Sequence, residues 1–573
     1  MYSSKKNVQV LISLLKAHGV RHAVLSPGSR NMAIVASLEN DPDFTCYSVV
    51  DERSAAYFAI GISLAHQAPV ALSCTSAQAT RNYIPGMTEA YYRGTPLVFI
   101  TADYKRSQIG QGVMQALDQM SIPADAAKVS VNLPLVKSTE DENYCSRLVN
   151  EALLELDHHG TGPVHINIPI EEHWEGGVRS LPPANVIARH TSTTSMPDIS
   201  GRKIMIAVGQ HFPFGGGEAE ALSNFAERHD AVVYTNHLSN YHGKNAVQAS
   251  LVLPNVDNAH LSDLRPDLLI TIGGQIGDYD FDDFTRKIPF EHWRVHPDGK
   301  IQDTYGKLSA VFEMGEEEFF RSYLDGRSES STGYADSWVK ASSERVTPKK
   351  LPFSQAYVAS ELSARIPANS SIHFAILNAF RNWSLFEMDP SIDAYCNVAG
   401  FGIDGCLSTF LGHSVATEKL CFLVIGDLSF FYDMGAAGIR GLTSNARIIL
   451  VNNNGGAEFR LYSNAAERSF GEGADKHIAA AGHFGSARAW VESMGWGYRA
   501  IRTKKDLKAG AEWLLSDSDR PLIMEVFTTS HDDSEGVRMM REANTVLSLK
   551  KRIASTLPPG VKRTLKSVLT RQG

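Results

Sequence analysis

At 573 residues the chain is too long for one hydrophobic core, and two to four domains are expected. Apolar residues at 43% and charged residues at 21% are ordinary for a globular protein in water, and a net charge of −8 argues against a general nucleic-acid binder. The first twenty residues lack the continuous apolar core of a signal peptide, no apolar run is long enough to span a bilayer, and the six cysteines form no CxxC pair; a cytoplasmic protein with no transmembrane segment is expected.

Along the first block, apolar runs at 22–25, 44–49, 70–74, 96–100 and 164–168 alternate with helix-period stretches such as 52–65 and 88–93. Nearly continuous apolar strands separated by helices predict a parallel sheet covered on both faces. A polar stretch at 179–201 reads as a linker. A second block follows, with strands predicted at 204–208, 231–234, 268–272 and 293–295. Gly215, Gly216 and Gly217 do not match a dinucleotide fingerprint and read as a tight turn entering a helix. After a second polar segment at 325–350, the third block carries strands at 371–374, 394–397, 421–425, 447–451 and 522–526. The fold class is therefore α/β, three consecutive domains with mainly parallel sheets: 1–178, 200–325 and 351–545. A basic tail at 546–573 follows and is assigned no chemistry.

The segment 421–459, CFLVIGDLSFFYDMGAAGIRGLTSNARIILVNNNGGAEF, is the most informative. One apolar strand delivers Gly426, Asp427, Leu428 and Ser429 to its carboxyl end; after a helix-like stretch, a second ends in Asn452, Asn453, Asn454, Gly455 and Gly456. Ligands of open α/β sheets collect at that edge. A hard cation such as magnesium takes a carboxylate, an amide or backbone oxygen, and phosphate oxygens. Gly426 permits close backbone approach, and the helix start after it favours phosphate charge. In the first block, YSVVDERSAAYFAIGISLA places Glu52 after an apolar strand and at the start of a helix.

The GD and the asparagine run, rather under thirty residues apart, resemble the motif of thiamine-diphosphate-dependent enzymes. The resemblance implies that Asp427, Asn453 and the Gly455 carbonyl hold Mg2+ (or Mn2+), with Asn454 as the alternative to Asn453. It implies cofactor contacts from Ser29, Glu52, Ile403, Gly426, Asp427, Leu428, Ser429 and Asn453. Glu52 becomes the catalytic carboxyl that bonds the aminopyrimidine ring, where shielding from water favours proton sharing. In this superfamily the pyrimidine-binding domain of one subunit faces the diphosphate-binding domain of another, so a homodimer or homotetramer is implied.

Several phrases are similar to one family, the 2-succinyl-5-enolpyruvyl-6-hydroxy-3-cyclohexene-1-carboxylate synthases of menaquinone biosynthesis. They include LSPGSRN at 25–31, DERSAA at 51–56, QALDQ at 115–119, GPVHINIP at 162–169, GIDGCLST at 402–409 and NNNGG at 452–456. Members decarboxylate 2-oxoglutarate and add the fragment to isochorismate. The resemblance carries over Arg30, Gln115 and Arg381 as substrate-binding residues, Arg381 for the distal carboxylate of the donor. Elsewhere the chain departs. Tyr104 and Val398 replace arginines, Leu377 replaces a serine, Glu458 replaces an apolar pocket residue, and the central basic pair gives way to Asp278–Asp280. Guanidinium forks bind carboxylates bidentately in a way neutral groups cannot reproduce. The expectation is a carboligase that decarboxylates a 2-oxo acid, with 2-oxoglutarate as donor and an acceptor other than isochorismate. The authentic synthase, a simple 2-oxo acid decarboxylase and a cofactor-binding homologue without turnover are the alternatives.

Overall fold

The computed structural model describes residues 1–171, 176–250, 252–253, 261–324, 332–343 and 345–544. The basic tail lies outside the described residues, as does part of the polar segment at 325–350. The chain divides into two compact units, 1–194 with 297–313, and 195–296 with 314–573.

The first unit is built on a six-stranded parallel sheet. Its strands are β1 (His22–Leu25), β2 (Thr45–Ser48), β3 (Val70–Cys74), β4 (Leu97–Asp103), β5 (Ser130–Asn132) and β6 (Val164–Pro169), in the order β2-β1-β3-β4-β6-β5. Strands β3 and β4 are buried along their whole length, which is why they read as unbroken apolar runs. Helix α1 (Glu52–His66) is capped by Asp51, whose carboxylate accepts the Ser54 N–H, and packs on α2 (Gln78–Arg93). A Cβ on Gly86 of α2 would stand 2.3 Å from the Ala56 Cβ, so glycine sets how closely the two helices approach. The stretch expected as a linker contains a strand, Ala188–Thr191, paired in parallel with Leu308–Glu313. Its sequence, ARHT, is half-buried and polar, and offers no apolar run to read.

The second unit carries two parallel sheets. The first contains β7 (Ile204–Val208), β8 (Val232–Thr235), β9 (Ala246–Gln248), β10 (Leu268–Ile272) and β11 (Glu291–Val295), with the contiguous order β9-β8-β7-β10-β11. The glycine run after β7 is a helix entry: Gly215 caps α3 (Gly216–Arg228). The second sheet contains β12 (Ser371–Phe374), β13 (Asp393–Cys396), β14 (Cys421–Gly426), β15 (Ala446–Asn452), β16 (Gly497–Ile501) and β17 (Leu522–Phe527), in the order β13-β12-β14-β15-β17-β16. The fold class is α/β throughout. Among the described residues no helix is long and apolar enough to cross a membrane.

Candidate active site

Strands β14 and β15 are neighbours and bring the two ends of the 421–459 segment together at one sheet edge. Asp427 opens the helix α4 (Asp427–Tyr432) and is 2% exposed. Its Oδ1 accepts the Leu428 N–H at 2.7 Å, and Oδ2 accepts the Asn453 and Gly455 N–H groups, each at 3.1 Å. Burial pushes its carboxyl above the ordinary range, against the pull of the backbone N–H groups and of His483. His483 Nε2 lies 3.0 Å from Oδ2; no local pattern in the sequence marks this residue, which arrives from a loop 56 positions away.

Asn453 uses its Nδ2 to donate to Asp533 at 2.9 Å, which aims the amide, and its Oδ1 is buried with no hydrogen-bond partner. An orphaned buried oxygen beside a buried carboxylate fits a hard cation. Asn454, the alternative, is in the left-handed region at φ 65°. Gly455 has φ 156° and its backbone meets the Ala481 backbone so closely that a Cβ would stand 2.5 Å from Cα. Gly426 faces open space on its Cβ side, as a backbone lying against a diphosphate requires. Ser429 Oγ donates to the Ile403 carbonyl at 2.5 Å, tying the Ile403 loop to the same edge. The donor set therefore fits the metal–diphosphate group. Asp533, fully buried, is pushed up to about 6 by burial, against donation from Gln355, Asn453 and Thr528. No spacing pattern in the sequence marks Asp533 as the group that orients Asn453.

In the first unit, Glu52 is half-buried and accepts Asn82 Nδ2 through Oε2 at 3.1 Å. Glu52 begins α1, whose buried residues include Ala55, Ala56, Ala59 and Ile60. Along α1 the side chains of Tyr57, Phe58 and Leu64 are 46%, 47% and 49% exposed, an apolar stripe at helical spacing. The SPGSR loop follows β1. Gly28 leaves no room for a Cβ beside Thr75, and Ser29 is exposed. Arg30 donates to the Ile170 carbonyl at 2.8 Å and lies over the Tyr104 ring at 3.9 Å. Tyr104, which stands where the family has an arginine, thus stacks under the arginine that remains. Lys105 Nζ is 3.8 Å from Glu171. Gln115 is exposed, with φ 62°, whereas Gln119 of the same phrase is buried and bonds Ala77, Ala102 and Asn167.

The second unit holds a pocket of about 440 Å³ whose charged lining is Asp278, Asp280, Asp283, Glu458, Arg381 and Arg541. Arg381 lies over the Tyr279 ring at 4.3 Å and its Nη1 donates to Glu458 Oε1 at 2.6 Å. Arg541 Nη2 donates to Asp280 at 3.0 Å. Burial pushes Asp280 up to about 6, with Arg541 opposing. Asp278 accepts Tyr234 Oη and caps the following helix, so it is satisfied by neutral donors. Both arginines of this pocket are already paired with carboxylates of the chain.

Residues 5–122 match the family described as thiamine pyrophosphate enzyme, N-terminal TPP binding domain. The chain is 37% identical over 557 residues to a protein of Phocaeicola vulgatus named 2-succinyl-5-enolpyruvyl-6-hydroxy-3-cyclohexene-1-carboxylate synthase, covering 94% of this chain and 98% of that one. The proteins of the same name from Bacteroides thetaiotaomicron, 37% identical with 93% and 98% covered, and from Desulfotalea psychrophila, 32% identical with 91% and 98% covered, match over similar spans. With this similarity running through both units, the chain belongs to the 2-succinyl-5-enolpyruvyl-6-hydroxy-3-cyclohexene-1-carboxylate synthase family, enzymes that depend on thiamine diphosphate and a divalent metal.

Proposed function

We propose that this enzyme decarboxylates a 2-oxo acid, with 2-oxoglutarate as the first donor to test, and transfers the remaining fragment to an acceptor other than isochorismate. The observation that carries the reading is the Arg381–Glu458 pair at 2.6 Å. An arginine held by an internal carboxylate competes poorly for a substrate carboxylate, because binding must first break a charge-assisted bond. Four acidic and two basic side chains around the same pocket favour an acceptor richer in hydrogen-bond donors than in negative charge.

Thiamine diphosphate, when bound, supplies the electron sink that lets a 2-oxo acid lose carbon dioxide. In this reading Asp427, Asn453 and the Gly455 carbonyl hold Mg2+ or Mn2+, and Gly426, Leu428 and Ser429 with Ile403 shape the cofactor's seat. Asn82 occupies Glu52 Oε2, leaving Oε1 to share a proton with the pyrimidine ring. Ser29, Arg30 and Gln115 would flank the substrate. Glu52 would be shielded by a second copy of the chain seated on the apolar stripe of α1, in a cytoplasmic homodimer or a tetramer built from it. The domains fall at 1–178, 200–325 and 351–545 in this assignment.

The test is carbon dioxide release and product mass from protein loaded with thiamine diphosphate and magnesium, given 2-oxoglutarate with and without isochorismate. Efficient isochorismate-dependent formation of the succinyl adduct would overturn the acceptor proposal and favour the second reading, the synthase activity for which the relatives are named, which the match over 94% of the chain supports.

A further inference from the structure

Away from the thiamine-diphosphate donors, the carboxyl end of β7 carries three ligating side chains that the proposed reaction leaves unused. His211 lies in the loop after β7, Glu218 in the first turn of α3, and Glu316 opens the helix Glu316–Ser322. This edge lies where the strand order turns, since β7 has β8 on one side and β10 on the other, and such switch points are where open α/β sheets bind ligands.

The three groups face one another. His211 Nε2 is 3.2 Å from Glu316 Oε2 and 3.9 Å from Glu218 Oε1, and all three ligand atoms lie within 4.8 Å of each other. His211 Nδ1 is 2.6 Å from the Phe212 carbonyl, which can only accept, so Nδ1 carries a proton and Nε2 is the ring atom turned toward the carboxylates. The Phe214 ring stacks on the imidazole at 4.1 Å and holds its plane. Glu316 is 8% exposed; its Oε1 accepts the Gly273 N–H, and its buried Oε2 faces the His211 ring. Arg321 pairs with Glu317 at 2.8 Å rather than with this group.

We infer that His211, Glu218 and Glu316 form a binding site for a zinc-like divalent cation, separate from the magnesium of the diphosphate. A tetrahedral ion with bonds of about 2.1 Å holds its ligand atoms about 3.4 Å apart, and the observed 3.2 and 3.9 Å bracket that spacing. Imidazole with two carboxylates suits zinc and its neighbours, whereas magnesium prefers oxygen alone. Glu218, the most exposed of the three at 28%, is the entry side and leaves a position for water. The ion joins the loop after β7 to two helix starts. The adjoining Gln210 donates to the Cys396 carbonyl at 2.8 Å, so the same loop grips the end of β13. The inference does not rest on the proposed reaction.

The test uses full-length protein saturated with thiamine diphosphate and magnesium, stripped of other metals and titrated with zinc. One equivalent of zinc retained on dialysis is expected, with affinity weakened roughly 100-fold or more by His211→Gln or Glu316→Gln. A second His/Glu group, His158, His159 and Glu313, is the internal rival. Zinc lost in His159→Ala but kept in His211→Gln overturns the inference, as does no retained zinc. Because Glu316→Gln also touches the Gly273 N–H, cobalt in the unaltered protein gives an independent reading. An intense visible spectrum of four- or five-coordinate cobalt, displaced by one equivalent of zinc, supports the site, and a weak octahedral spectrum contradicts it.

Discussion

Arg381 keeps one buried nitrogen, Nη2, without a hydrogen-bond partner while Nη1 is held by Glu458. Glu458→Leu should therefore release the guanidinium for a substrate carboxylate and tighten 2-oxoglutarate binding by roughly tenfold, about 1.4 kcal/mol. Calorimetry of the cofactor-loaded protein reads this directly, and an unchanged Kd would contradict the competition argument. The sequence showed that Glu458 stands where an apolar residue is expected, but 77 positions separate it from Arg381, and only the fold reveals the pairing. Asp427 and Asn453 were legible because both sit at strand ends within one β-α-β unit. His483 and Asp533 were not, since each reaches the site from a separate element and carries no spacing pattern. Asp533 makes a pH prediction. Its folded value of about 6 lies above the ordinary 3.8, so the protonated form favours folding. That stabilisation is complete below pH 3.8 and is lost as pH rises through 6, a change of roughly 3 kcal/mol. Asp533→Asn lacks this titration and faces four donors with an amide. It should melt well below the wild type at pH 4.5 and approach it by pH 7.5; parallel melting profiles would refute the assignment.

At the scale of elements, the catalytic glutamate proposed here depends on how α1 seats against α2. Gly86→Val places branched carbon where a single Cβ would already stand 2.3 Å from Ala56. It should cost about 1–3 kcal/mol of stability and reduce decarboxylation more than cofactor affinity, because it displaces the helix that begins at Glu52. A loss of thermal stability with turnover intact would uncouple the two. Most buried parallel strands were readable to within three residues because burial on both faces demands continuous apolar sequence, though Leu308–Glu313 was missed. Ala188–Thr191, Ala246–Gln248 and Gly497–Ile501 escaped for the opposite reason: each is short or only partly buried.

For the whole molecule, the apolar stripe of α1 predicts assembly. Tyr57→Glu combined with Leu64→Glu should convert the proposed dimer to monomers in light scattering and abolish turnover while leaving the circular dichroism of the fold unchanged. Dimers persisting in that variant would place the interface elsewhere. Asn453 Oδ1 has a wider consequence. A cation that binds only the folded chain stabilises it by mass action, about 2.7 kcal/mol at a hundred times Kd. Cells starved of the metal would then lose the polypeptide itself to proteolysis, so metal supply would govern the abundance of this enzyme as well as its rate.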